Sequence, residues 1–377
     1  MKIRRPFFFL LLVLVAIAFT LSCGKNSLNN PHLCSGCQFV YSTTNSGQIL
    51  TFPVSTSGML GTPTSVSGPA NSTGIVTVSP GGLQLYVYVS DPGNNAIRAY
   101  AVSNSDGSLS SAPSGPYPVS STPGELTCFG TTLYVASSAG SIFAFTVSTD
   151  GSLTSVSGSP FSAGAGLSHL AAIPSATVGN TAFLYAANAD DPNGSITAFT
   201  IGSNGALAPV PGSPFATVAN GGPEGFYDGG NILYVALKNA NAVVALTINA
   251  DGSLSPIAGS PFPAGHGTSS LSAADGFLFA ANNLDGTISS YSMDPVSGAL
   301  TQVTGSPFTA AVPSGDVLYD NGKLFLPDAS SNTINGFAPD PASGIVTSLS
   351  GSPFQAGAGP LALAMGGFPV IDPPQSH

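Results

Sequence analysis

The chain of 377 residues carries 17 carboxylates against seven lysines and arginines, a formal charge of −10, so its surface is a poor partner for nucleic acid or anionic lipid. Charged residues make up only 6% of the chain and hydrophobic residues 43%. Solubility therefore rests on Ser, Thr, Asn and Gly, and material for a large core is ample.

Residues 1–22 read as an export signal. Lys2, Arg4 and Arg5 precede the apolar run Phe7–Phe19, which at 13 residues is short for a bilayer span. Removing the segment leaves four cations against 17 carboxylates, a net charge of −13. Thr20-Leu21-Ser22-Cys23-Gly24 resembles a bacterial lipoprotein cleavage site, departing from the usual pattern at Leu21 and Thr20. The resemblance implies lipidation at Cys23, and Gly24 in place of aspartate implies passage to the outer membrane. An ordinary secretory signal with an incidental cysteine is the alternative. Residues 23–37 then form a lipid-anchored polar tether. Within it Cys34-Ser-Gly-Cys37 has no following helix to suit redox chemistry and no second ligand pair to suit zinc, His32 standing alone, so a disulfide is the preferred reading. Cys128, in an apolar strand, reads as a buried free thiol.

From residue 38 onward the chain repeats itself. Gly-Ser-Pro-Phe recurs at Gly158–Phe161, Gly212–Phe215, Gly259–Phe262, Gly305–Phe308 and Gly351–Phe354, each seven residues after another glycine. Those glycines (Gly151, Gly205, Gly252, Gly298, Gly344) extend back to Gly107 and Gly58, giving seven anchors spaced 44 to 54 residues apart. Such periods belong to solenoids and propellers, in which many repeats make one domain despite the length. In the unit 125–156, Leu126–Phe129, Leu133–Ala136, Ile142–Val147 and Leu153–Val156 are short β-branched and aromatic strands, with Asp150-Gly151 as a tight hairpin whose two central residues both take positive φ. The same junction at Asp106, Asn204 and Asp251 makes several carboxylates turn residues and leaves calcium binding little support. Four strands per repeat and no helical periodicity predict an all-β, seven-bladed β-propeller over residues 38–370, with 371–377 as a tail. The proline of Gly-Ser-Pro-Phe suits an outer edge, and its phenylalanine is expected to plug the gap between blades. Closure is joint: residues 38–42 and 48–54 supply the second and third strands, and residues 361–365 the innermost strand, of one blade. Phe368–Ile371 competes for the second-strand place.

At Leu133-Tyr134-Val135-Ala136 with Ile142-Phe143-Ala144-Phe145, and in its counterparts, the chain resembles the YVTN-type and lactonase-type seven-bladed propellers, which include bacterial 6-phosphogluconolactonases and fungal carboxymuconate cyclases. The resemblance spans nearly all of residues 38–370 and implies the fold rather than the activity.

In a propeller the innermost strand of each blade lines the channel and its first residue faces the mouth. Aligned there, Glu125, His169 and Glu224 fall in three consecutive blades, and the two glutamates are the only ones in the chain. One glutamate activating water and the histidine polarising a carbonyl or protonating a leaving group would make an acid/base site. The competing reading is polar side chains wetting a solvent-filled channel. His266 reads as a loop residue, and Ser195 sits at a strand start without a nucleophile elbow. A phosphorylated lactone needs cationic clamps, yet beyond the signal only Lys25, Arg98, Lys238 and Lys323 remain. Arg98 falls in a third strand, and no counterpart of the lactonase active-site arginines is evident.

These readings favour an exported, cell-envelope propeller, monomeric and outer-membrane-anchored through its lipid. It would act as a binding module for a protein or a neutral carbohydrate or lactone, with no cofactor, no metal and no phosphosugar lactonase activity. The alternative is a lactone hydrolase using Glu125, His169 and Glu224.

Overall fold

The computed structural model describes residues 38–367, apart from 82–83, 113, 176–180, 193 and 311–314. Among these residues there is no helix, and the strands form seven antiparallel sheets, the blades of a propeller. The innermost strands are Ile75–Val78, Pro123–Phe129, Leu167–Pro174, Pro223–Asp228, Thr268–Ala274 and Leu318–Asp320 in the first to sixth blades, and Pro360–Gly367 in the closing blade. The closing blade pairs Pro360–Gly367 with Gln38–Thr44, then Gln48–Val54 and Thr64–Ser67, so both ends of the described chain build it together. Gln38–Thr44 fills the contested second-strand place; residues 368–371 lie outside the described part.

The core is divided among the blade interfaces. Successive residues of a second strand point to opposite neighbours: Leu133 and Val135 pack against the first blade, Tyr134 and Ala136 against the third. Both faces of each sheet are thereby buried, which is why these strands read as unbroken apolar runs. A hydrogen bond repeats with this packing. The second-strand tyrosine hydroxyl donates to the turn-glycine carbonyl of the next blade, as in Tyr41 to Gly107 (2.9 Å), Tyr88 to Gly151 (2.8 Å), Tyr134 to Gly205 (2.9 Å) and Tyr234 to Gly298 (2.9 Å). A side chain on Gly151 would also meet the Tyr86 ring at 2.4 Å, so packing as well as φ (80°) demands glycine there.

The turn itself differs from expectation. Only the glycine takes positive φ, and Ser148 N donates to Ser152 O at 2.9 Å around a longer loop. Asp150 instead accepts from the hydroxyl and backbone of Ser152, which holds its carboxyl below the usual range; Asp251 does the same with Ser253, and Asp106 is lowered by the Ser103 hydroxyl together with the hydroxyl and backbone of Ser108. The Gly-Ser-Pro-Phe serine has a definite task. Ser159, Ser213, Ser260, Ser306 and Ser352 accept through Oγ from third-strand N–H groups at 2.8–2.9 Å, bridging two short strands that share that edge. The phenylalanine then opens the second of these, as Phe161 opposite Ile142, and packs half-buried on the interface with the next blade.

Candidate functional site

Most innermost strands begin with a β-bulge. Against the second strand the register slips by one residue at Ser168, Glu224 and Ser269, and likewise near Gly124 and Leu361. A bulge re-aims side chains and is common beside binding sites. Counting inward fixes a second ring of positions. Thr127 lies opposite Tyr134, Ala171 opposite Tyr185, and Leu318 opposite Phe325, so Glu125 and His169 stand two residues nearer the mouth on their strands, and Asp316 stands two residues nearer the mouth in the segment that leads into its strand. In the fourth blade Tyr227 faces Tyr234, which gives this place to Gly225 and sets Glu224 one step outside it.

The ring position brings the three side chains together: ligand atoms of Glu125, His169 and Asp316 all lie within 4.8 Å of one another. Glu125 and His169 come from adjacent blades and Asp316 from the sixth, across the channel. Above them a cavity of about 400 Å³ opens to the mouth, lined also by Thr73, Ser168, Glu224, Lys238, Ser269 and Asn283. His169 and Asp316 also border a second, more apolar cavity of about 200 Å³ with Leu170, Phe226 and Val317, so the cluster forms the waist of the channel. The His169 ring stands edge-on to Phe226, centroids 5.7 Å apart. The neighbouring backbone is tied across blades: Val317 N donates to Ser270 Oγ (2.9 Å), and Ser168 Oγ donates to Pro223 O (2.9 Å).

Of the residues expected from sequence, Glu125 and His169 meet. Glu224 lines the same cavity but is turned to Lys238, whose Nζ donates to its Oε1 at 2.7 Å. Sequence reasoning missed Asp316 and put Lys238 merely near a strand end, whereas it is a cation at the mouth. Asp316 carries a readable signal, since it precedes the second-strand aromatic Phe325 by nine residues just as Glu125 precedes Tyr134. No metal-ligand spacing along the chain marks this set, because its members come from three blades distant in sequence. Arg98 is on a third strand and pairs with Asp91 at 2.6 Å. His266 is an exposed loop residue, and Ser195 is held in its strand by Asn188 and Asp191. Cys128 is disulfide-bonded rather than a free thiol, with its partner outside the described residues, where Cys23, Cys34 and Cys37 also lie.

The family model "Lactonase, 7-bladed beta-propeller" matches residues 215–360. The fold is that of the lactonase-type seven-bladed propellers. Solved lactonase-like structures superpose along nearly their whole length. A Bacteroides fragilis protein provisionally named a 6-phosphogluconolactonase gives a TM-score of 0.73 at 20% identity, covering 90% of this chain and 99% of its own. The periplasmic gluconolactonase of Pseudomonas aeruginosa gives 0.70 at 19%, again with 90% and 99% covered. Curated proteins give no significant sequence match.

Proposed function

We propose that this lactonase-like propeller hydrolyses an uncharged lactone at Glu125, His169 and Asp316. The observation that carries the reading is the convergence of a carboxylate and an imidazole from adjacent blades, with a second carboxylate opposite, at the floor of a cavity large enough for a sugar lactone. Position at the mouth alone does not separate catalysis from wetting of the channel; this clustering favours catalysis. Glu125 takes a proton from the attacking water as its oxygen bonds to the lactone carbonyl carbon, and His169 gives one to the ring oxygen as the ester bond breaks. Asp316 supports the imidazolium from across the channel. The gluconolactonase name of one structural neighbour agrees with the reaction class.

The preference for an uncharged substrate rests on Lys238. It is the one lysine or arginine among the described residues lining the cavity, and Glu224 already holds it. A phosphate would have to compete for that ammonium, and no guanidinium fork is at hand. Initial rates on paired neutral and 6-phosphorylated lactones test the proposal. Turnover above the spontaneous rate for the neutral member, with the phosphorylated one at least tenfold poorer in kcat/KM, is expected. Background rates on both would return the protein to the binding-module reading.

Export to the cell envelope and anchoring through Cys23 belong to the same proposal. The disulfide at Cys128 supports an oxidising compartment. Intact-mass measurement should find an acylated chain starting at Cys23, and an unmodified N-terminus further along would remove the anchor.

A further inference from the structure

We infer that Glu125, His169 and Asp316 form a binding site for one divalent transition-metal ion. The inference goes beyond lactone hydrolysis and stands whether or not a lactone is turned over; because the ion needs the same three side chains deprotonated, the acid–base reaction above belongs to the ion-free chain, and a bound ion would suppress it. Three atoms within 4.8 Å of one another share a point at most about 2.8 Å from each, close to calcium–oxygen distances and less than 1 Å beyond those of zinc. Small side-chain rotations therefore suffice to close the set on an ion. One imidazole nitrogen with two carboxylate oxygens suits Zn²⁺ or Mn²⁺ better than the all-oxygen shells of calcium and magnesium.

Further features favour a cation. The cluster faces the 400 Å³ cavity, which leaves the ion's remaining positions open to water, as in catalytic rather than closed structural sites. Two carboxylates drawn together in a confined channel of an acidic protein raise the local cation concentration. Asn283 Oδ1, a buried acceptor with no hydrogen-bond partner among the described residues, lines the same cavity and can serve a metal-bound water. The backbone beside Asp316 and His169 is tied to the neighbouring blades by the Val317–Ser270 and Ser168–Pro223 bonds.

The test uses chelator-stripped full-length protein and Mn²⁺, which thiolates hold poorly, so the cysteines at 23, 34 and 37 do not compete. Electron paramagnetic resonance of free Mn²⁺ and calorimetry should give one ion per chain. Glu125→Gln, His169→Ala and Asp316→Asn should each weaken binding at least about tenfold, in the range seen when a metal site is disturbed. Exposed His266→Ala should leave it unchanged, and melting temperatures of all four variants show whether the fold is kept. Zn²⁺ should compete for the same site. No stoichiometric Mn²⁺ or Zn²⁺ binding by the folded protein, or binding that survives Glu125→Gln/Asp316→Asn, would overturn the site. Binding without lactone turnover would instead count against hydrolysis alone.

Discussion

Lys238 Nζ donates to Glu224 Oε1 over 2.7 Å, joining the end of the fourth blade's second strand to the bulge of its innermost strand. The pair is partly exposed at the cavity mouth, so it does little for stability, but it decides what charge an incoming ligand meets. Glu224→Gln frees the ammonium. The ratio of kcat/KM for a 6-phosphorylated lactone to that for its neutral partner should then rise about 3- to 10-fold, the scale of one new charge-assisted contact. An unchanged or falling ratio would show that Lys238 does not guard the mouth against anions.

At the other end of the channel Asp320 closes the sixth blade's innermost strand, with Oδ2 buried and lacking a hydrogen-bond partner among the described residues. Burial pushes its carboxyl up from 3.8 to about 6. Between these values the folded chain holds a proton that the unfolded chain has released. This stabilising contribution is complete below about pH 4 and is lost as pH rises through 6. Because the side chain is only partly buried, the loss is on the order of 1 kcal/mol. Asp320→Asn should therefore raise Tm at pH 7.5 and leave it nearly unchanged at pH 4, as read by calorimetry at both pH values. A variant that melts lower at pH 7.5 would contradict the sign.

Tyr134 donates to Gly205 O across the interface between the second and third blades. The fifth and sixth blades carry Phe279 and Phe325 at the same place, so Tyr134→Phe keeps the packing and removes the bond alone. Leaving the Gly205 carbonyl buried and unmatched should cost about 1–3 kcal/mol, a fall of a few degrees in Tm. An unchanged Tm would mean that water or a turn shift replaces the bond.

Much of this was legible in the chain. Seven glycine anchors and the recurring short apolar strands announce seven blades, and the strand remnants at 38–54 and 361–365 announce joint closure. Glu125 and His169 stand out because charged residues are so scarce. Asp316 is hidden for the same reason that other carboxylates were correctly given to turns: Ser-Gly-Asp looks like a turn, and only the register of the sixth blade places it in the channel. The place of Lys238 at the cavity mouth depends on which end of its strand faces the cavity. The turn geometry was misread because Asp-Gly also fits a longer loop in which the aspartate caps the following serine.

The central claim is that the waist of the channel hydrolyses a neutral lactone. Its most direct test is the initial rate on an uncharged δ-lactone, corrected for spontaneous opening, for the unaltered protein and for Glu125→Gln and His169→Ala, with Tm recorded for each. Turnover above background that falls about 10²- to 10⁴-fold in both folded variants is expected from loss of the base and the acid. Turnover that persists in both variants, or an unaltered protein that does not exceed background, would contradict it.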